Sequence, residues 1–227
     1  MLAQYLVFIK KLQYVTVTRT IFTSVAFFDS FTYMSFAALM PDSSPTNQEP
    51  SPQSIEWALK LFSKSPLKQQ KLRRIESLCP KFSGKICLDI GSDNGVISLK
   101  LREQGGVWYS ADLLPETVAS IQSLVGERVS QIDGQKLPYV DDQFDLVVIV
   151  DFLEHIDTDR KCVEEISRIL KPGAELIINV PNPQKGLLRS IKHLIGQTDE
   201  AHGHVRPGYS IDQLNKLLDG LFVIESH

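Results

Sequence analysis

The chain has 227 residues, 43% of them hydrophobic, which is enough for one sizeable core but excludes a second full domain. The formal net charge is -3, so no global basic field exists to gather nucleic acid or anionic lipid. The three cysteines, Cys79, Cys87 and Cys162, match neither a disulfide framework nor a zinc site, and they favour a reducing, cytoplasmic location.

Residues 1–40 differ from the rest of the chain, because Lys10, Lys11 and Arg19 precede an apolar, aromatic-rich run at residues 20–40. A membrane-associating helix is one interpretation, although Asp29 would cost about 2.5 to 3.5 kcal/mol at the bilayer centre. A secretory signal is a second, although no clean cleavage site follows. The third, which we favour, is a dispensable extension before a start at Met40.

The Pro/Ser-rich stretch MPDSSPTNQEPSPQS, from residue 40, has the composition of a flexible tail. The predicted division is therefore an extension at residues 1–53, apolar at 1–40 and flexible at 41–53, followed by one domain at 54–227. Helical periodicity predicts packing helices at residues 54–80. The basic run LKQQKLRR at residues 67–74 is interpreted as a solvated helix face.

Strands and helices alternate after residue 80. The predicted strands are KICLDIG, VWYSADL, RVSQID, FDLVVIVDF, ELIINVP and LFVIESH. The predicted helices cover residues 95–103, 115–124, 158–170 and 210–218, and the last begins with Ser210 as a cap. This alternation predicts an α/β fold with a doubly wound, mostly parallel sheet.

A short loop with a glycine at each end, GSDNG at residues 91–95, joins the first strand of this alternation to its helix. Asp112 ends the second strand, and an acid about 20 residues after a glycine loop is placed to bind a ribose diol. Asp133 and Gly134 end the third strand, where they can meet an adenine edge. These strand ends predict a nucleoside pocket. A nicotinamide site fits less well, because its fingerprint needs glycines at the first, third and sixth positions.

The motifs LDIGSDNG, SADL, FDLVVIVDFLEHI and RILKPGAELIINVPNP resemble, in this order, those of the class I S-adenosylmethionine-dependent methyltransferases. The likeness is to the small-molecule, ubiquinone-biosynthesis-like branch often called type 11. It implies a Rossmann-like sheet and S-adenosylmethionine as cofactor. It also implies that cofactor-binding residues lie beside the methionine part (Asp89, Gly91, Gly95), the ribose (Asp112, Leu113), the adenine (Asp133, Gly134) and the sulfonium (Asp151).

Asp93 departs from the family pattern, which has a glycine at this position. Asp and Asn tolerate a left-handed backbone better than other non-glycine residues, so Asp93 and Asn94 should keep the turn. The charge would repel the carboxylate of the cofactor but attract its amino group or sulfonium, so we include Asp93 among the cofactor-binding residues.

His155, after the fourth strand, is the candidate catalytic residue, because it could deprotonate an acceptor hydroxyl. A histidine that orders the loop is the structural alternative, and Glu154 has the same ambiguity. The segment DEAHGHVRPGYS supplies the candidate substrate residues His202, His204, Arg206 and Tyr209. A metal site is not favoured there, because no third ligand is evident.

The sheet of this family ends with a seventh strand that lies between the fifth and the sixth, whereas the present chain stops at His227 after LFVIESH. We therefore expect Phe222, Val223 and Ile224 to lack a pairing partner, as in a fragment or a shortened copy.

Methyl transfer to oxygen, nitrogen or carbon of a small or medium-sized acceptor is the predicted function, with no nucleic-acid partner expected. Two alternatives stay open. One is a catalytically silent S-adenosylmethionine-binding or interaction domain, and the other, favoured less, is an NAD-dependent oxidoreductase. Membrane contact through residues 1–40 is not favoured.

Overall fold

The structure is a computed structural model that describes residues 4–11, 52–78, 82–182 and 205–226. The strands in these ranges are β1 Gln4–Lys11, β2 Ile86–Ile90, β3 Val107–Asp112, β4 Val129–Gln131, β5 Phe144–Val150, β6 Leu170–Pro181 and β7 Phe222–Ser226. The α-helices are α1 Pro52–Ser63, α2 Pro66–Leu78, α3 Val96–Glu103, α4 Pro115–Val125, α5 Asp159–Ile169 and α6 Ile211–Leu218. A short 3-10 helix, Leu153–His155, follows β5.

The described strands form one seven-stranded sheet with the order β4-β3-β2-β5-β6-β1-β7. All strand pairs from β4 to β6 are parallel, and β1 is antiparallel to both of its neighbours. The predicted α/β fold with a mostly parallel sheet is therefore confirmed. The strand β6 begins at Leu170 rather than at the predicted Glu175, because Leu170 already pairs with Phe144 before a register shift.

The central strands are buried on both faces. Leu88 and Ile90 of β2 pack in one hydrophobic cluster with residues of α5 and α6, whereas Cys87 packs in a second cluster with residues of α2 and α3. Successive side chains of a strand point to opposite faces, so a continuous apolar run fills both layers. The sheet is thus covered by helices on its two faces.

The strand β1 lies between β6 and β7, at a position in the sheet where the sequence analysis predicted that a strand would be missing. Gln4 is opposite Pro181 and Lys10 is opposite Glu175 in β6, while Lys11 is opposite Phe222 in β7. The expectation that the last strand lacks a pairing partner is wrong, because a segment rich in β-forming residues, QYLVFIKK, supplies the backbone hydrogen bonds. Part of the predicted extension is therefore built into the sheet, and residues 12–51 lie outside the described ranges.

Local signals position the remaining helices. Ser210 accepts a hydrogen bond from the backbone N–H of Gln213, and the side chain of Gln213 accepts one from the N–H of Ser210, which confirms the predicted cap of α6. None of the helices in the described ranges is long and apolar enough to cross a bilayer. The apolar run at residues 20–40 is not part of those ranges.

Candidate active site

A cavity of about 510 Å³ opens at the carboxyl ends of three neighbouring strands. Gly91 follows β2, Asp112 ends β3 and Asp151 follows β5, and all three line the cavity. In a parallel sheet with helices on both faces, this edge is where ligands bind. The other lining residues are Lys68, Lys71, Ser92, Asp93, Ile97, Leu113, Leu114, Thr117, Val150, Phe152 and His155.

The two glycines of the GSDNG loop are needed for close packing. Gly91 has φ +83°, and a Cβ atom there would lie 2.4 Å from the carbonyl oxygen of Val150. Gly95 has φ +81°, and its Cβ would lie 2.7 Å from Cα of Ile121 in α4. Gly91 therefore brings the end of β2 against the end of β5, while Gly95 brings α3 against α4 and does not line the cavity.

Asp93 has φ +54°, the left-handed conformation that the sequence predicted for this position. Its side chain is 74% exposed, and Oδ2 accepts a hydrogen bond of 2.8 Å from Nζ of Lys68 in α2. The same Nζ donates to Oδ1 of Asn94 at 3.2 Å. The aspartate thus keeps the turn, and a lysine from another element faces its charge.

Asp112 is the acid at the end of β3, and it is 8% exposed. Its Oδ1 atom accepts a hydrogen bond of 2.7 Å from the backbone N–H of Leu113. Burial raises the pKa of this carboxyl, while hydrogen bonds from the N–H groups of Leu113 and Leu114 oppose the rise. These amides fix the carboxylate by one oxygen, which leaves its other oxygen available to a ribose diol.

Asp89 lies below the cavity and is completely buried. It accepts hydrogen bonds from Oγ of Ser98 at 2.5 Å and Oγ of Ser110 at 2.8 Å. Burial raises the pKa of its carboxyl, and the nearby Arg102 guanidinium opposes this rise. Because these partners belong to α3 and β3, Asp89 ties both elements to β2 and supports the glycine loop from beneath.

The end of β5 carries a group of charged side chains. Asp151 has φ +46° and forms an ion pair with Lys71 of α2, which is only 8% exposed. Glu154 is fully buried, and neither of its carboxylate oxygens has a hydrogen-bond partner among the described residues. Burial and the charge of Asp151 raise the pKa of Glu154 to about 8, so it holds a proton at neutral pH. His155, the next residue, lines the cavity.

Comparison with known proteins shows what the central part of this chain is similar to. Residues 88–178 match the methyltransferase domain family. A ubiquinone biosynthesis O-methyltransferase from Idiomarina loihiensis is 30% identical over 149 residues, which cover 60% of this chain and 60% of that protein. Over this region the chain is similar to S-adenosylmethionine-dependent methyltransferases.

Two further proteins show how far the likeness extends. Norajmaline N-methyltransferase from Rauvolfia serpentina is 33% identical over 107 residues, covering 44% of this chain and 37% of the relative. Phosphoethanolamine N-methyltransferase 2 from Haemonchus contortus, solved with S-adenosyl-L-methionine, shares the fold with a TM-score of 0.55 and 23% identity, over 73% of this chain and 39% of that one. The chain thus spans less than two thirds of these relatives.

The cavity at the ends of β2, β3 and β5 brings together six of the predicted site residues: Gly91, Asp93, Asp112, Leu113, Asp151 and His155. Asp133 instead lines a neighbouring cavity of about 560 Å³. Its Oδ1 accepts hydrogen bonds from the N–H groups of Lys136 and Gln135, which lower its pKa. Gly134 is buried against Ile156. Their role beside the adenine stays a prediction.

The sequence interpretation missed Lys68 and Lys71. Both belong to the run LKQQKLRR, and their spacing of three residues places them on one face of α2. The interpretation of this run as a solvated face is wrong for Lys71, which is 8% exposed and paired with Asp151. The signal in the sequence was the spacing, but only the packing of α2 over the cavity gives the lysines their partners.

Two of the predicted substrate residues lie elsewhere in the molecule. Arg206 and Tyr209 line a separate cavity of about 470 Å³ beside α5 and α6. Arg206 forms an ion pair with Asp159 and donates to the carbonyl oxygen of Ile156 at 2.8 Å, and the hydroxyl of Tyr209 donates to the carbonyl oxygen of Leu153 at 3.1 Å. These contacts tie the segment before α6 to the turn after β5. His202 and His204 lie outside the described residues.

Proposed function

We propose that the protein transfers a methyl group from S-adenosylmethionine to oxygen, nitrogen or carbon of a small or medium-sized acceptor. The observation that carries this proposal is that one cavity contains both Asp112, an anchor for a ribose, and His155, a side chain able to accept a proton. The names of the relatives support it, since they specify an O-methyltransferase of ubiquinone biosynthesis and an N-methyltransferase of norajmaline.

The residues of the cavity fit the cofactor. The carboxylate of Asp112 is fixed by backbone amides at the end of β3, which suits two ribose hydroxyls. Gly91 lines the cavity, so the backbone of the glycine loop can contact a ligand at the end of β2. Ile97, Val150 and Phe152 add apolar lining to the same cavity. A nucleoside with a polar extension therefore finds both kinds of surface that it needs.

When bound, S-adenosylmethionine supplies a methyl group that its sulfonium already activates. The protein then has to align the acceptor and exclude water, because alignment alone accounts for much of the acceleration in such reactions. In this proposal the apolar lining excludes water, and a ring nitrogen of His155 accepts the proton of an acceptor hydroxyl. Lys71 forms an ion pair with Asp151 and holds this residue in place in the same cavity.

Calorimetric titration of S-adenosylmethionine and S-adenosylhomocysteine into the full chain tests the first half of the proposal. Asp112→Ala should weaken binding by about 10- to 100-fold, the loss expected for hydrogen bonds to a charged acceptor. Asp212→Ala is the matched control, because Asp212 is exposed on α6 and does not line the cavity. Equal affinities for wild type and Asp112→Ala would contradict the assigned ribose anchor.

Turnover tests the second half. Incubation with labelled S-adenosylmethionine and a panel of phenols, amines and quinol precursors should transfer label to at least one acceptor. His155→Gln should then lower kcat and leave cofactor binding unchanged. Cofactor binding without turnover on any acceptor would instead support the silent binding domain.

A further inference from the structure

Two ion pairs connect α2 to the cavity, and in both of them α2 supplies the lysine. Lys68 faces Asp93 in the glycine loop, and Lys71 faces Asp151 at the end of β5. The position of α2 is fixed, because Leu72 and Ile75 of the same helix are buried in the core. All four of these side chains line the same cavity. One ligand bound there can therefore contact two cations and two anions, whose charges sum to zero.

The order of the strands decides which part of the ligand reaches these charges. Asp112 lies on β3, and β4 is the next strand outward, so a nucleoside anchored by its ribose at Asp112 has β4 on one side. On the other side are β2 and then β5, whose ends carry Asp93 and Asp151. If the adenine lies beside Asp133 after β4, as the sequence predicts, the other end of the cofactor would extend toward Lys68, Lys71, Asp93 and Asp151.

We propose that Lys68 and Asp93 form a subsite for a zwitterionic α-amino acid, with Lys68 binding the carboxylate and Asp93 the ammonium of the methionine end. This inference rests on the proposed function, since it assigns residues to one end of the same cofactor. A zwitterion presents both charges at once, so neither member of the pair is left without a partner when it binds.

Because Lys68 and Asp93 are partly exposed, exchanging their mutual contact for contacts with the zwitterion costs little free energy. The side chain of Lys68 is 30% exposed and that of Asp93 is 74% exposed. Ion pairs between exposed groups contribute little to stability, because solvent already screens them. Lys71 and Asp151 are more buried, at 9% and 31%, and are suited to hold α2 in place while Lys68 and Asp93 bind the ligand.

Two ligands that differ only in the amino acid end test the subsite. Each is titrated by calorimetry into the full chain: S-adenosylhomocysteine, which has the zwitterion, and 5′-methylthioadenosine, which lacks it. Lys68→Met and Asp93→Asn should each weaken S-adenosylhomocysteine by about 5- to 50-fold, as for a lost charge-assisted hydrogen bond, and change 5′-methylthioadenosine by less than about 2-fold. Lys100→Met, which removes a lysine of α3 that is paired with Glu103 and does not line the cavity, should change neither.

A charge-swapped variant separates recognition of the zwitterion from simple closure of the cavity. Lys68→Asp combined with Asp93→Lys retains an ion pair but inverts its polarity. The subsite predicts that this variant still binds 5′-methylthioadenosine and does not regain affinity for S-adenosylhomocysteine. Recovery of that affinity would overturn the subsite and assign the pair to closure alone.

The remaining outcomes are also decisive. Equal weakening of both ligands by Lys68→Met, or no weakening of either, overturns the subsite and leaves the proposed function intact. A wild-type protein that binds 5′-methylthioadenosine as tightly as S-adenosylhomocysteine also overturns it. Binding of neither ligand by folded wild type contradicts the proposed function, and the subsite fails with it.

Discussion

The half of the sheet that carries the cavity, β4-β3-β2-β5, is built from units that are close in sequence, whereas the other half, β6-β1-β7, joins segments from opposite ends of the described chain. In the first half every strand pair is parallel, and each strand leads through a short loop into a helix or turn. In the second half β1 pairs antiparallel with two strands that lie far from it along the chain.

The two halves therefore have different roles: the first half forms the cavity that binds a ligand, and the second half completes the sheet. Apart from the lysines of α2, all residues that line the cavity belong to the strands of the first half, to the loops and helices that connect them or to the turn after β5. Strand pairing in the second half brings together segments that are far apart in sequence, and closing such long loops costs chain entropy. We therefore expect damage to the first half to remove stability and binding together, and damage to the second half to remove mainly stability.

The largest expected effect is that of Gly91→Ala. A Cβ at this position would meet the carbonyl oxygen of Val150 at 2.4 Å, and the residue has φ +83°. The substitution should lower the free energy of unfolding by roughly 3 kcal/mol or more and abolish cofactor binding. Gly84→Ala is the control, because its φ is +78° but no atom lies within 4 Å of the added Cβ.

Urea denaturation followed by fluorescence measures both variants. Gly84→Ala should lose only roughly 1 to 2 kcal/mol, the cost of the left-handed conformation alone. Equal losses in the two variants would show that backbone conformation, and not the contact between the ends of β2 and β5, requires the glycine.

The next effect is that of Ile9→Pro in β1. Ile9 is opposite Leu176 in β6 and opposite Ile224 in β7, so a proline there removes a donor from the middle of the ladder. We expect a loss of roughly 3 kcal/mol. Gln4→Pro is the matched control, because the first residue of a strand tolerates proline.

The affinity for S-adenosylhomocysteine sharpens the comparison. At a temperature where Ile9→Pro is still folded, its dissociation constant should stay within about 3-fold of wild type, since no cavity residue belongs to β1. If Ile9→Pro and Gln4→Pro melt together at the wild-type temperature, then β1 does not stabilise the sheet and the favoured interpretation of a dispensable extension regains support.

The first half was predictable because its signals are local. The strands are apolar on both faces, as in Leu88 and Cys87, and Asp112 stands directly at a strand end, so each element and its ligand position can be identified within a few residues. The left-handed turn at Asp93 followed from the conformational preference of one residue type. Because a parallel sheet brings the carboxyl ends of its strands to one edge, residues identified separately at each strand end could be predicted to form one site.

The second half was not predictable in the same way. The segment QYLVFIKK has β-forming residues, but nothing near it in sequence identifies β6 and β7 as its partners. The apolar run at residues 20–40, which follows this segment, suggested a membrane-associating helix instead. Strand pairing between distant segments depends on which edges the rest of the fold leaves open, and that is a property of the whole sheet.

Charged residues gave a similar contrast. Asp89 and Asp93 belong to one sequence motif, yet Asp89 is buried and hydrogen-bonded to α3 and β3, whereas Asp93 faces solvent and Lys68. Lys71 has the same sequence environment as a solvated lysine, but it is buried because α2 lies over the end of β5. The chemistry of each group depends on a partner from a different element, so residue type alone could not assign it.

The smallest effect concerns Glu154, which lies where the two halves meet. Its backbone carbonyl accepts a hydrogen bond of 2.9 Å from the N–H of Val205, at the start of the segment that leads to α6 and β7. Its buried carboxyl has a pKa of about 8, against an ordinary value of 4.5. Between these two values the folded protein keeps a proton that the unfolded chain has released, so the free energy of unfolding falls as pH rises.

Glu154→Gln tests this coupling, because glutamine has a similar shape and never ionises. From pH 6 to 8 the wild type should lose stability with a slope of up to about 1.4 kcal/mol per pH unit relative to the variant. Glu154→Gln should therefore melt above wild type at pH 8.5, and the advantage should shrink toward pH 6. Glu164→Gln, at an exposed position of α5 paired with Arg160, should follow wild type at every pH. If the curves of Glu154→Gln and wild type run parallel, the carboxyl of Glu154 is already ionised below pH 6, and burial does not raise its pKa in the folded protein.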